Sequence, residues 1–353
     1  MRQRILLDED APHQWPAYGK RARRFRSTDD AQEQLRELNK LDNWHGVVAL
    51  TYDYAVIASA IAMCVFGSWW LYPLTVVVIG SRMRALATLL HESAHGVLAK
   101  NTVLNTVLGT ACSGYLVLQL YGPYRKSHVN THHPLLGDPT RDPDLQFFIE
   151  CGVYEPTLTR RQRLLKLVIL PILGGRTLSS VRYLLSNRLV TSDKDQGPTW
   201  DRKAFLATWI VLIGILAATG NLSYLPLFWI VPYFTTFQII TWFIELAEHT
   251  PLLKHSDHNL YLSRNRKSRG IEWFLTSMHA ENYHLDHHLD PRTPFWNMRH
   301  ANAIRRHCDR QYRQWDNQAG GLFQKGKNGQ PGAIRRIIDN TPEMPESRDA
   351  VPC

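Results

Sequence analysis

Residues 47–81 read VVALTYDYAVIASAIAMCVFGSWWLYPLTVVVIGS and contain no lysine or arginine. A second stretch, residues 204–253, reads AFLATWIVLIGILAATGNLSYLPLFWIVPYFTTFQIITWFIELAEHTPLL and is equally free of basic residues. All 41 Lys and Arg of the 353-residue chain lie outside these two windows. A membrane helix takes roughly 20 apolar residues, so each window has room for two. The first divides near Gly67-Ser68 into spans 47–66 and 69–90; the second divides near Gly220-Asn221 into about 202–219 and 222–246. The mean hydropathy of −0.27 would by itself describe a soluble chain. The segregation of charge overrides that average. The alternative, two buried helical hairpins of a soluble enzyme, sits poorly with the length of the spans.

The fold class expected is therefore an all-α integral membrane protein, with four transmembrane helices in two hairpins and a cytoplasmic helical cap. The regions flanking the hairpins are basic and the hairpin turns carry no charge, so the positive-inside rule puts both termini and the middle segment in the cytoplasm. The chain then divides into a cytoplasmic N-terminal segment (1–46), a first hairpin (47–90), a cytoplasmic region (91–203), a second hairpin (204–246), a further cytoplasmic region (247–312) and a tail (313–353). From about Asn317 that tail is rich in Gly, Pro and charge, and loose order is expected of it. The net charge is +10, and the densest basic cluster is Lys20-Arg21-Ala22-Arg23-Arg24-Phe25-Arg26. Beside a membrane span, such a cluster meets anionic lipid head groups more simply than nucleic acid. Residues 1–40 hold no apolar core of a signal peptide. The cysteines Cys64, Cys112, Cys151, Cys308 and Cys353 have no paired spacing, so neither a disulfide framework nor a thiolate metal site is expected. The segment 164–173 (LLKLVILPIL) is too short to span and reads as an interfacial helix or a core helix of the cap.

Eight of the 16 histidines fall in three clusters: His91-Glu-Ser-Ala-His95, His128-Val-Asn-Thr-His132-His133 and His284-Leu-Asp-His287-His288. Spacings of three and four place two imidazoles on one helix face. All three clusters lie in regions assigned to the cytoplasmic side on charge alone. Imidazole suits Zn, Cu, Fe and Ni, whereas a tetrahedral zinc site takes only three or four protein ligands. Eight or more imidazoles imply two metal ions, and redox-active iron is the choice for hard C–H chemistry. HESAH also matches the HExxH pattern of zinc proteases with Glu92 as base, but such a protease leaves the other two clusters without a use.

The pattern HxxxH, HxxxHH and HxxHH, with one hairpin before the first box and another between the second and third, resembles the integral-membrane fatty acid desaturase and hydroxylase family. Gly137-Asp138-Pro139-Thr140-Arg141-Asp142-Pro143-Asp144 after the second box, Asn282-Tyr283 before the third and Asp290-Pro291-Arg292-Thr293-Pro294 after it extend the likeness to about residues 45–305. The resemblance implies a non-haem diiron enzyme that uses O2 to remove hydrogen from an unactivated C–H bond. Its metal ligands would be His91, His95, His128, His132, His133, His284, His287 and His288. His249, where the second hairpin re-enters the cytoplasm, joins them as an extra histidine after the last span. Glu245, one turn earlier, is expected to fix the His249 tautomer, and Asp138, Asp142, Asp144 and Asn282 are further candidates for orienting ligand imidazoles. His13, His45, His255 and His258 belong to no box, and His300 and His307 read as structural.

No cytochrome b5 or ferredoxin segment is recognisable in the chain, so the resemblance calls for a separate electron donor of ferredoxin, rubredoxin or cytochrome b5 type with its reductase. The lipid bilayer is the other partner, nucleic acid is not one, and the location implied is a bacterial inner membrane. Desaturation of a fatty acyl chain is the first reading, with Trp69, Trp70 or Phe243 as candidate tunnel lining. Hydroxylation, or oxidation of a small amino-acid-like or opine-like molecule, is the alternative. Asp53, an acid within the first span, reads as either functional or interfacial.

Overall fold

The computed structural model describes residues 22–190, 197–254, 256 and 258–343, and every regular element among them is a helix. In chain order these are α1 (Asp29–Glu37), α2 (His45–Gly67), α3 (Trp69–His95), α4 (Thr102–Val117), α5 (Tyr121–Leu135), α6 (Pro143–Glu150), α7 (Arg160–Ile172) and α8 (Thr177–Leu189). They are followed by α9 (Thr199–Ala218), α10 (Pro226–His249), α11 (Gly270–Thr276), α12 (His284–Leu289), α13 (Met298–Cys308), α14 (Arg310–Asp316) and α15 (Ala333–Asp339). His13 and His255, and Lys20 and Arg21 of the basic cluster, lie outside the described residues.

Among the described residues three helices, α2, α3 and α10, are long and apolar enough to cross a membrane, and up to five spans result if the bent pairs α4–α5 and α7–α8 each count as one. The helix expected as the third span, α9, is not among the three. It has the length, at 20 residues, but its first turn carries Asp201, Arg202 and Lys203. Asp201 is buried, accepting hydrogen bonds from the Tyr115 hydroxyl (2.6 Å) and the Gly122 amide (2.8 Å), while Leu206, Ile210, Val211 and Ile215 beyond it are exposed. The segment 164–173 lies in α7 and packs one face inward through Leu167 and Val168 while Leu170 and Leu173 stay exposed.

Helix α3 is the axis of the molecule. Its Ile79, Met83, Leu86 and Leu89 meet Ala49, Leu50 and Ile57 of α2 on one side and Phe228, Tyr233 and Phe237 of α10 on another. Gly80 permits the close approach to α10, since a Cβ there would lie 2.1 Å from Thr236 Oγ1 and 2.7 Å from the Phe237 amide nitrogen. Asp53 of α2 is fully buried and sits between Arg82 Nη1 (3.2 Å) and His279 Nε2 (2.7 Å), so it is an internal clamp on the α2–α3 seam and not an interfacial group.

The tail departs from expectation as far as residue 343. Leu322, Ala333, Ile334, Ile337 and Ile338 are buried in one core with Trp242, Phe243 and Leu246 of α10. Glu343 pairs with Arg264 Nη2 at 2.7 Å, both side chains being buried. The spacing of Ile334, Ile337 and Ile338 gives α15 one apolar stripe, which outweighs the Gly- and Pro-rich composition around it.

Candidate metal centre

Two long helices end in histidine. α3 runs on past residue 90 through the first box to His95, and Gly96 closes it in the left-handed conformation (φ 76°). α10 likewise runs on to His249. The other two boxes lie on α5 and on α12, a helix of only 6 residues. The nine sequence-predicted ligands converge. His91, His95, His128, His133 and His287 each offer a nitrogen within 4.8 Å of one another, and His132, His249 and His288 do the same beside them. His284 joins the second set, its Nε2 lying 2.9 Å from that of His249 and 3.0 Å from that of His288.

The backbone explains how three short motifs feed two sets. His91 and His95 are one α-turn apart, with ring centroids 4.8 Å apart, and both serve the first set. His284 and His288, at the same spacing, both serve the second (4.6 Å). Residues Arg125–His132 are wound as a π-helix, whose i→i+5 repeat brings His128 and His133 to the same face. Their Nε2 atoms are 3.2 Å apart, and His132 turns to the other set. His287 crosses the opposite way and meets His133, Nε2 to Nε2, at 3.0 Å. Spacing of four alone would have put His128 and His132 on one ion.

Five of the nine rings also have a partner at their far nitrogen. Glu92 Oε1 lies 3.0 Å from His91 Nδ1, and its Oε2 accepts from the Phe295 amide at 3.1 Å. That arrangement engages both oxygens of the carboxylate that a HExxH protease would need as its base. Asp142 caps α6 and contacts His132 Nδ1 through both oxygens (3.0 and 3.1 Å). Asp144 Oδ2 is 3.5 Å from His132 Nδ1 and 3.7 Å from His128 Nδ1, while its Oδ1 takes Arg188 at 3.0 Å. His249 Nδ1 meets the Leu262 carbonyl at 2.9 Å. Glu248 Oε2 is 3.4 Å from His284 Nδ1, and its Oε1 takes Arg266. Fixing one ring nitrogen leaves the other turned inward with its lone pair, the arrangement found around metal-bound imidazoles. His95 Nε2 is buried with no hydrogen-bond partner, as a ligand nitrogen is. Burial holds His284, His287 and His288 well below the usual histidine range, and the neighbouring imidazoles add to the effect. Neutral rings are the form that binds metal. The donor set, nine imidazoles in two adjoining groups, fits a pair of transition-metal ions.

Three expected orienting residues do something else. Glu245 does not reach His249 and instead accepts from Arg84 Nη1 at 2.6 Å, because α3 presents that guanidinium to the same face of α10. Asp138 folds its own loop, accepting from the Thr140 amide (2.9 Å) and Arg141 Nε (2.7 Å). Asn282 donates to the Arg266 carbonyl (3.1 Å) and contacts no histidine through that amide. Sequence reasoning missed Glu248 and the Leu262 carbonyl. Glu248 on α10 reaches His284 on α12, a pairing between helices that no spacing within one helix reveals. His300 and His307 are exposed, and His45 is stacked against Trp296 (4.6 Å) and bonded to Asp42 (2.6 Å).

A cavity of about 110 Å³ opens beside the histidines; His91, His128, His132, His284 and His287, the polar Arg84, Thr241, Glu245 and Glu281, and apolar residues that include Phe147, Leu184, Phe237 and Met298 line it. Trp69, Trp70 and Phe243 do not line it: Trp70 is 93% exposed and Phe243 is packed against Phe323.

Residues 67–318 match the fatty acid desaturase family. The chain is 41% identical over 340 residues to a dihydrorhizobitoxine desaturase from Bradyrhizobium elkanii, covering 95% of this chain and 96% of that protein. It is 25% identical to the chloroplastic omega-6 fatty acid desaturase of Spinacia oleracea (76% of this chain, 60% of that one). To a delta 8-(E)-sphingolipid desaturase of Komagataella phaffii it is 23% identical (66% of this chain, 48% of that one). With its histidines gathered as described and this likeness running through most of its length, the chain is an oxidoreductase that belongs to the fatty acid desaturase family.

Proposed function

We propose that this protein is a membrane-bound, O2-dependent diiron desaturase whose substrate is a small amino-acid-like molecule and not a fatty acyl chain. The observation that carries the diiron reading is the convergence of nine imidazoles from four separate chain segments into two adjoining sets. One iron would be held by His91, His95, His128, His133 and His287, the other by His132, His249, His284 and His288. Bound there, the metal pair supplies the oxidising chemistry: –CH2–CH2– plus O2, two electrons and two protons gives –CH=CH– and two waters. The electrons come from a separate donor protein. Glu92, Asp142, Asp144, Glu248 and the Leu262 carbonyl hold the imidazoles in the tautomer that keeps the inner nitrogens free.

Two observations support the substrate class. The cavity beside the histidines is smaller than the roughly 300–1,000 Å³ usual for drug-sized ligands, and among its apolar lining residues it carries the charged side chains Arg84, Glu245 and Glu281, which a wholly hydrocarbon substrate would leave unmatched. The relative with 41% identity is named for dihydrorhizobitoxine, whereas the relatives named for fatty acids and sphingolipids are near 25%. For topology, we propose two outward hairpins, α2–α3 and α9–α10, with the cap and both termini in the cytoplasm. In α9 the charged first turn then sits at the cytoplasmic face and the exposed apolar residues after it face lipid.

The test is metal analysis together with product analysis. Purified enzyme carries about two irons per chain, consumes O2 when given a reduced donor, and lightens dihydrorhizobitoxine by two hydrogens in the mass spectrum. One zinc per chain, or product from acyl substrates alone, overturns the reading. A reporter near Thr157 that is labelled from outside intact cells overturns the topology.

A further inference from the structure

Three of the chain segments that carry the histidines also carry one charged residue a turn or two before them. Arg84 precedes His91 on α3, Glu245 precedes His249 on α10, and Glu281 precedes His284. The three meet at the wall of the cavity. Arg84 Nη1 donates to Glu245 Oε1 at 2.6 Å, and Arg84 Nε donates to Glu281 Oε1 at 2.8 Å. A single guanidinium against two carboxylates leaves the trio one negative charge in excess. The other oxygen of Glu281, Oε2, is buried and has no hydrogen-bond partner, although the side chain is only 7% exposed. Thr241, a turn before Glu245 on α10, lines the same cavity and its buried hydroxyl is also unpartnered. The other carboxylates that line the cavity are each engaged on both oxygens or by a cation: Asp144 with Arg188, Glu248 with Arg266, and Glu92 with His91 Nδ1 and the Phe295 amide. An ionised oxygen stripped of water is strongly unfavourable unless a donor meets it.

We propose that Glu281 Oε2 is the receptor for the substrate's ammonium group, with the Thr241 hydroxyl beside it. This rests on the amino-acid-like substrate proposed above and names the atom that selects it. Arg84 is the positioning residue: it engages Oε1 from α3 and leaves Oε2, the free oxygen of a residue on the cavity wall, aimed at no protein donor. The segment that carries Glu281 supports this aim, since His279 and Ala280 before it both adopt left-handed backbone (φ 48° and 57°) and turn the chain sharply ahead of the third box. An ammonium held there stands in the same cavity as His91, His128 and His287, with the rest of a short molecule reaching toward them.

The experiment compares full-length iron-loaded enzyme with its E281Q variant. Glutamine is isosteric and keeps an oxygen for Arg84, so the fold and the two irons per chain are retained while the negative charge is lost. The probes are unbranched primary amines of four to eight carbons and the alcohols of equal length, read by the rise each causes in the melting temperature. Turnover of the wild-type substrate is followed in parallel. Wild type binds the amines at least tenfold more tightly than the alcohols, and E281Q loses that preference. For turnover, KM rises roughly 10- to 100-fold in E281Q while kcat changes little and iron content does not change. A KM unchanged in E281Q, on an amino-acid substrate that the wild type does turn over, overturns the inference and leaves the proposed function standing. A wild type that yields product only from acyl chains fails the proposed function, and the inference with it. Loss of iron from E281Q shows a structural role and also overturns it.

Discussion

Helices α2 and α3 are neighbours of similarly apolar composition, yet 28% of the apolar stretch of the first is buried and 72% of that of the second. Hydropathy therefore does not separate a helix that faces outward from one on which the centre is built. What separates them is the placing of small and charged residues. α2 turns inward little more than Ala49, Leu50, Asp53 and Ile57, whereas α3 presents Gly80 to α10, Arg82 to Asp53, Arg84 to the cavity and its last turn to the histidine cluster. A helix buried all round can carry charge if each charge has a partner, and α3 does so.

The contrast can be broken, or sharpened, in order of the effect expected. His95→Ala on α3 brings turnover below detection and lowers bound iron while the protein still inserts; full activity with two irons would remove His95 from the ligand set. Gly80→Ala forces Thr236 and the backbone of Phe237 away. It therefore costs at least the ~1–3 kcal/mol of an overpacked core, read as a fall in melting temperature in detergent. Gly67→Ala, at the end of α2 with nothing within 4 Å of the added methyl, leaves it in place. Equal effects from the two glycines would mean that the α3–α10 seam is not tight. Leu89→Ala, at a fully buried position, costs about 2–5 kcal/mol. Val48→Ala, which is 55% exposed on α2, stays within ~0.5 kcal/mol. The smallest effect expected on the site is that of Glu92→Gln, which keeps the fold and weakens iron affinity by about 10- to 100-fold as the partner of His91 is altered. Unchanged affinity there would show that His91 is oriented by packing alone.

Much of this organisation is legible in the sequence, and the limits have physical causes. The boxes stand out because histidine pairs at helical spacing are unusual and occur three times. Which histidines serve together was hidden, because it depends on the π-wound stretch Arg125–His132, and no residue in RKSHVNTH announces an i→i+5 repeat. The role given to Glu245 failed for a related reason. The i→i+4 rule counts neighbours on one helix, and a guanidinium from α3 reaches that carboxylate first. The tail was misread because Gly and Pro dominate its composition, while the few residues that bury it (Leu322, Ile334, Ile337 and Ile338) are too sparse to move an average. α9 shows the converse: an apolar run reads as a span, yet its charged first turn keeps it out of the three spans that length and composition alone support.

Helix α12 holds three of the nine imidazoles and is too short to be stable by its own hydrogen bonds. Its Asp286 is fully buried and collects donors from outside the helix: Arg305 Nη1 at 2.5 Å, the Tyr312 hydroxyl at 2.7 Å, Asn265 at 2.9 Å and Asn302 at 3.1 Å. Three of these four come later in the chain than the box they support. During synthesis, then, the third box emerges before the side chains that anchor it. Its histidines reach their final positions only after the residues through Tyr312 have left the ribosome and folded back, so this part of the centre is among the last pieces of the protein to assemble.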